Sequence, residues 1–258
     1  MSRLRAKCPD CRTFTAVALG PEYQCHACGR TFGAGLVRVP RAWGTGGEVM
    51  AEAASLHLPY PEAGVVAENS LSEQTLALAC DLPDRPLVLG GCCCAHVGGV
   101  EGLAARHGRV AVVWLDAHGD LNTPETSPSG NAWGMPLRML FESGAVAPED
   151  AVLVGARNLD PPEEAFIAES RLHVGADQVG AALEGTEGVY VALDADSLAA
   201  DEIAAFMPEP GGIPVAEVEE LFRSLAGRTQ ILGAGLSGLR PDPANVAVLT
   251  RLTVALGL

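Results

Sequence analysis

"RVAVVWLDAHGD", Arg109 to Asp120, runs six apolar residues, Val110 to Leu115, straight into Asp116, His118 and Asp120. A short apolar run rich in Val and bounded by polar residues reads as a strand buried on both faces, the kind found in parallel sheets covered by helices. The pattern recurs. Further strands are expected at "LVRVP" from Leu36, "GVVA" from Gly64, "PLVLGG" from Pro86, "AVLVGA" from Ala151, "LHVGA" from Leu172, "GVYVALD" from Gly188 and "QILGAGLSG" from Gln230. Helical stretches fall between them, near Ser70 to Cys80, Gly98 to Arg106, Ala132 to Glu142, Glu163 to Ser170, Val215 to Leu225 and Pro243 to Leu256. Strands alternating with helices predict a three-layer α/β/α fold around a mainly parallel sheet.

In such folds ligands sit beyond the carboxyl ends of the strands. The polar clusters fall there: Asp116, His118 and Asp120 close one strand, and Asp194 and Asp196 close "VYVALDADS". Alternation at a strand end would turn Asp116, His118 and Asp120 to one side, and likewise Asp194 with Asp196. Caps and solvated turns would account for one D-x-D alone. Two such motifs in one crevice would repel each other strongly, and a pair of divalent cations bridged by carboxylates resolves that repulsion.

The chain has 258 residues, 19% charged and 48% hydrophobic, the composition of a folded globular protein. A net charge of −15 argues against nucleic acid or an anionic membrane as a partner of the whole surface. No window approaches the run of about eighteen apolar residues that a membrane helix needs, and "MSRLRAKCPDC" has no signal-type segment. A cytoplasmic location with reduced thiols is therefore expected. Lys7 is the only lysine, which excludes a P-loop and leaves no Schiff-base lysine. The charge is uneven. Residues 1 to 35 hold Arg3, Arg5, Lys7, Arg12 and Arg30 against Asp10 and Glu22, leaving −18 for the remainder.

That basic segment contains "CPDC" and "CHACG", placing Cys8, Cys11, Cys25 and Cys28 as two C-x2-C knuckles thirteen residues apart. Four thiolates at this spacing close a tetrahedron around one structural Zn2+, and so short a segment has no other core to stand on. It resembles a zinc ribbon, so the expected organisation is a ribbon over residues 1–35 and an α/β domain over 36–258. What the ribbon touches, and whether the chain forms a homo-oligomer, the sequence leaves open.

"DAHGD" followed by "DAD" resembles the ureohydrolase superfamily of arginases and agmatinases, whose members cut guanidino or amidino C–N bonds with a bridged manganese pair. The resemblance implies an arginase-like fold over Leu36 to Leu258. The family's first metal motif is G-G-D-H-S; here Gly90 and Gly91 precede Cys92, Cys93 and Cys94. Counted from the glycines, Cys93 takes the place of the family's histidine ligand, read as a metal thiolate in preference to an inert buried thiol. Cys92 and Cys94 are expected to point away into packed surroundings. By the resemblance, one metal would be held by Cys93, Asp116, Asp120 and Asp194, the other by His118, Asp116, Asp194 and Asp196. A thiolate is softer than an imidazole, so Zn2+, Fe2+ or Co2+ could replace Mn2+.

"DLNTPETSPSGNAWGMP" is similar to the arginase branch, where such a segment holds the substrate α-carboxylate; the matching residues are Asn122, Ser129 and Asn131. "VGARNLDPPEE" matches the segment that holds the α-amino group, through Asp160 and Glu163. Asp120 is expected to take up the reaction proton. Four further positions depart from the pattern: Trp133 replaces a proton-relaying histidine, Gly238 a glutamate that faces the guanidinium, and Ala199 and Ala200 an Asp-Pro pair. A guanidinium without that carboxylate loses roughly 2–5 kcal/mol of binding. The implied activity is a metal-dependent hydrolase of linear amidines acting on a small guanidino or amidino substrate, an arginine-like amino acid with a less basic head such as an N-hydroxyguanidine or amidine. The alternative is a non-catalytic relative that binds a ligand or partner through crevice and ribbon.

Overall fold

The computed structural model describes residues 5 to 258; Arg3, and with it the start of the 1–35 segment, lies outside them. Four short antiparallel strands come first, β1 (Arg5–Ala6), β2 (Ala16–Leu19), β3 (Glu22–Cys25) and β4 (Thr31–Phe32), adjacent in that order. Their buried apolar residues are few: Ala6, Cys8, Ala16, Tyr23, Cys25 and Phe32. That is too little apolar surface to hold a free-standing unit without a cross-link. The small sheet leans on the rest of the chain, since Lys7 and Glu62 exchange two backbone hydrogen bonds of 3.0 Å.

The large sheet is built from β5 (Gly35–Val39), β6 (Glu62–Val65), β7 (Pro86–Gly90), β8 (Ala111–Leu115), β9 (Ala151–Val154), β10 (His173–Val174), β11 (Val189–Asp194) and β12 (Ile231–Ser237). Its order is β10-β9-β8-β11-β12-β7-β5-β6, and every pairing is parallel. All eight expected strands are present; six lie within the expected spans, while β5 is shifted one residue towards the N-terminus and β6 two.

Pleat alternation divides the apolar residues between two cores. Ala111, Val113 and Leu115 face one cluster, which includes residues of α1 (Glu48–Ala53), α6 (Val179–Ala182), α7 (Val215–Arg228) and α8 (Asn245–Ala255). Val112 and Trp114 face the other, with α3 (Cys94–His107), α4 (Pro136–Glu142) and α5 (Pro161–Glu169). The second layer is completed by α2 (Leu71–Cys80), whose Leu78 packs on Val37, Val39 and Val88. The result is the expected three-layer α/β/α architecture. Helix α2 starts where the sequence placed it because Ser70 is its cap, accepting from the Glu73 amide at 3.3 Å and donating to the Glu73 carboxylate at 2.7 Å.

Three helices differ from expectation. Helix α3 begins four residues early, at Cys94, so the three cysteines lie on the turn from β7 into a helix instead of on a strand. Helices α1 and α6 were not expected, being 6 and 4 residues long, too short to show a period.

Helices α2 and α3 touch almost backbone to backbone. A Cβ on Gly98 would lie 2.6 Å from both the Leu78 Cβ and the Thr75 carbonyl oxygen. Replacing Gly98 with valine should therefore force the helices apart and cost about 1–3 kcal/mol. Denaturant unfolding checks it; an unchanged midpoint would show that α2 is free to shift.

Candidate metal centre

In the sheet order β8, β11, β12 and β7 are neighbours, so their carboxyl ends open on one crevice. The chain leaves β8 at Asp116, β11 at Asp194, β12 at Gly238 and β7 towards Cys92 and Cys93. These residues line a cavity of about 290 Å³, together with His118, Asp120, Asn122, Ser129, Trp133, Asp160, Glu163 and Asp196. Strand alternation is not what collects the acids. Strand β8 ends at Leu115, and Asp116 to Asp120 form a turn in which Asp120 has φ +55°, a left-handed conformation that Asp tolerates better than most residues.

Donor atoms gather in two sets, each within 4.8 Å: Cys93, Asp116 and Asp120 in one, Asp116, His118 and Asp196 in the other. Asp116 is common to both. Asp194, expected in both sets, is in neither and instead hydrogen-bonds to one member of each: its Oδ2 accepts from the Cys93 thiol at 2.9 Å, and from the Ser237 hydroxyl at 3.1 Å, and its Oδ1 from the Asp196 amide at 3.1 Å. His118 Nδ1 lies 3.0 Å from Asp196 and 3.4 Å from Asp116. Cys92 and Cys94 both pack in a buried cluster with Met50, as expected, and Cys92 in addition reaches the crevice wall.

The electrostatics are those of crowded anions. Burial, then the charge of Asp196, pushes Asp194 up to about 7; burial, then Asp116, pushes Asp196 up to about 6. Burial and the charges of Asp116 and Asp194 hold Asp120 well above the carboxylate range. Burial and Asp120 raise the Cys93 thiol likewise. Burial pulls His118 down, but its bonds to Asp116 and Asp196 outweigh that and lift it to about 12. Among the described residues, Asp120 Oδ2 is the buried side-chain oxygen with no hydrogen-bond partner. An unpaired oxygen inside four buried carboxylates, with a thiol and one imidazole, is a donor set that fits divalent cations.

The residues expected at the amino-acid end divide. Asn122 donates to Asp160 at 2.9 Å and accepts from Thr126 at 2.9 Å. Asp160 and Glu163 form a capping box on α5, and Glu163 accepts from the Leu121 and Asp160 amides at 3.0 and 2.9 Å. Glu163 thus ties the turn that carries Asp120, through Oε1, to the start of α5, through Oε2. Asn131 is not in the cavity wall; its Oδ1 accepts from the Thr45 amide at 2.9 Å. At Gly238 (φ +66°) a Cβ would come within 2.0 Å of Asp194 Oδ1, so this backbone has no room for a side chain.

Sequence reasoning passed over several residues. Arg157 donates to the carbonyls of Gly155, Asp196, Glu209 and Pro210 at 2.6–3.0 Å, fastening the loop after β11 to the one after β9. Asn158 holds Glu209 at 3.1 Å. Phe206 and Met207 complete the wall, with Trp133 edge-on to Phe206 at 6.4 Å. In the N-terminal sheet, the four cysteine sulfurs also lie within 4.8 Å of one another, and the Thr15 hydroxyl 3.2 Å away draws Cys25 down to about 6.

A parallel α/β/α sheet with an acidic crevice at the ends of its central strands defines a class of α/β fold with a candidate metal site, and comparison with known proteins narrows it. The arginase family matches residues 50–256, most of the chain, and the chain belongs to that family. It is 34% identical to the arginase of Bacillus caldovelox over 183 residues, 60% of this chain and 61% of that protein. Identity to the arginase of Bacillus subtilis is 35% over 179 residues, 59% and 60% of the two chains. The chain thus spans about 60% of the length of these curated relatives. A crystal structure of arginase from Bacillus subtilis superposes with a TM-score of 0.74 at 25% identity, covering 86% of this chain and 96% of that one. Among the described residues, no helix is long and apolar enough to cross a membrane.

The pKa directions fix how the metal-free chain responds to pH. Asp194 and Asp196 keep protons in the folded state that the unfolded chain has lost above its ordinary carboxylate value of 3.8, so their contribution weakens as pH rises towards about 7 and 6. His118 keeps a proton that the unfolded chain loses near 6.5, which acts in the same direction between 6.5 and about 12. Thermal unfolding of the chelator-treated protein should therefore move to lower temperature from pH 5.5 to pH 8. A midpoint that rises over that range would contradict this account of the crevice.

Proposed function

We propose that the chain is a metal-dependent hydrolase cleaving a guanidino or amidino C–N bond of an arginine-like amino acid whose head is less basic than a guanidinium. The observation that carries this reading is the unpaired, buried Asp120 Oδ2 within two donor sets that share Asp116. The crevice cations would be held by Cys93, Asp116 and Asp120 on one side and by Asp116, His118 and Asp196 on the other, with Asp194 adjoining both. When bound, the metals supply the acidity that makes water nucleophilic and the charge that polarises the substrate.

The chain's own residues do the rest. Asp120 takes up the proton released when water adds to the central sp2 carbon and returns it to the departing nitrogen. Asn122, Ser129 and Asp160 line the cavity where the α-carboxylate and α-amino groups would be held, and Glu163 keeps Asp160 and the Asp120 turn in place. Asn131 supports this segment from behind, through Thr45. Around the reacting end Met50, Trp133, Phe206 and Met207 form an apolar wall where arginine would require a counter-charge, and Gly238 leaves no space for one. A head group that is neutral, or less costly to desolvate, suits that wall.

The N-terminal sheet is proposed to be a zinc ribbon that forms the first unit of the chain, with the α/β domain from residue 36 onward. Four converging sulfurs in a sheet with so small a core support it. Its role would be structural, one Zn2+ replacing the missing apolar core. A cytoplasmic setting agrees with eight unpaired cysteines.

The test is a panel of arginine, N-hydroxyarginine and amidino analogues, assayed for C–N cleavage with Mn2+, Zn2+, Fe2+ or Co2+ added. Turnover of the less basic analogues above arginine is expected, together with loss of both crevice metals in Asp116→Asn. An Asp116→Asn chain that keeps two crevice metals and full turnover would end the reading of Asp116 as the ligand both metals share. Metal uptake without turnover of any analogue would favour the non-catalytic relative.

For the ribbon, Cys8→Ser combined with Cys11→Ser should remove one zinc per chain by elemental analysis and leave crevice metal unchanged. Retention of full zinc content would dismiss it.

A further inference from the structure

Behind the crevice wall lies a buried histidine that the hydrolytic reading does not use. His96, on the first turn of α3, is fully buried and does not line the cavity. Its Nδ1 is 3.2 Å from the Tyr190 hydroxyl and its Nε2 is 3.0 Å from the Ser237 hydroxyl. The edge of Trp114 packs against its ring at 5.3 Å. Ser237 in turn lies 3.1 Å from Asp194 Oδ2 and 3.6 Å from the Cys93 sulfur. The ring fits because residue 235 is glycine: a Cβ there would stand 2.2 Å from both His96 Nδ1 and the Tyr190 oxygen.

We propose that Tyr190, His96 and Ser237 form a one-way hydrogen-bond relay that positions the Asp194 carboxylate and the neighbouring Cys93 sulfur for the crevice cations. This rests on the metal-hydrolase reading above. The direction follows from counting protons. Ser237 has one, and an ionised Asp194 carboxylate holding a cation can only accept, its Oδ2 lying 3.1 Å from the Ser237 hydroxyl. For Ser237 to donate to Asp194, its oxygen must receive from His96, so Nε2 carries the ring hydrogen. Nδ1 is then bare and accepts from Tyr190. The opposite tautomer would draw the Ser237 proton away from Asp194. Burial keeps the imidazole neutral, with one donor and one acceptor nitrogen. Hydrogen bonds behind a ligand fix its orientation, and a carboxylate held at one oxygen presents the other in a defined direction.

The experiment uses the full chain with its N-terminal sites loaded with zinc, titrated with Co2+ alone. Affinity is read by calorimetry and the Cys93–Co2+ contact by the thiolate charge-transfer band in difference spectra. Ser237→Ala should weaken crevice Co2+ binding about 10-fold and shift the band, whereas Ser237→Thr, which keeps the hydroxyl, should stay within about twofold of the parent. His96→Leu should match Ser237→Ala, and the double variant should be no worse than either, because one relay is broken in each case. If His96→Leu does not fold, the contrast between Ser237→Ala and Ser237→Thr decides. Wild-type-like Co2+ binding in Ser237→Ala, no rescue by Ser237→Thr, or additive losses would each overturn the relay while leaving the metal reading intact. A parent chain that binds no crevice Co2+ would end both.

Discussion

The repulsion among Asp116, Asp120, Asp194 and Asp196 is the constraint around which the molecule is organised. All four are at most 6% exposed. Two like charges 4 Å apart cost about 4 kcal/mol at an effective dielectric near 20. Several such pairs would rival the 5–15 kcal/mol that holds a domain folded. The sheet leaves them little freedom to separate, since β8 and β11 are adjacent and hydrogen-bonded along their length. Positive charge or protons must make up the difference. In the metal-free chain protons do so: His118 is charged, Asp194 and Asp196 are raised, and the Cys93 thiol donates to Asp194.

The same constraint explains why the loops around the crevice are so heavily tied. Arg157 spends its guanidinium on backbone carbonyls, not on the nearby carboxylates, so it stiffens the walls without neutralising the charge they enclose. Glu163 does the equivalent with its two oxygens, bracing Leu121 and Asp160. Family membership accounts for the fold and for the acids at the strand ends. The crevice has its own character, set by Cys93, Trp133 and Gly238, and the last is locked by its own backbone and by the proximity of Asp194.

At the far edge of the large sheet, the N-terminal strands address a different problem. Strand β6 is an edge, and an open edge invites pairing with other chains. The mutual hydrogen bonds of Lys7 and Glu62 occupy part of it. The Tyr23 ring lies against Gly35, so the small sheet is packed against the start of β5 as well as joined to it.

By itself the sequence determined the eight strands of the large sheet, six of the eight α-helices among the described residues, the C-x2-C pairs and the acids that close β8 and β11. Each of these is written in a local period or spacing, and local patterns survive being read one segment at a time. Tertiary structure decided what the segments do to one another. The three cysteines were legible as a motif, but their separate fates depend on β7 giving way to a helix at Cys94. Asn131 matched a substrate-binding pattern, yet its oxygen is taken by Thr45, 86 positions away. His96 and Ser237, 141 residues apart, carry no sequence signal, because a buried hydrogen bond between distant segments exists only once the sheet has brought them together.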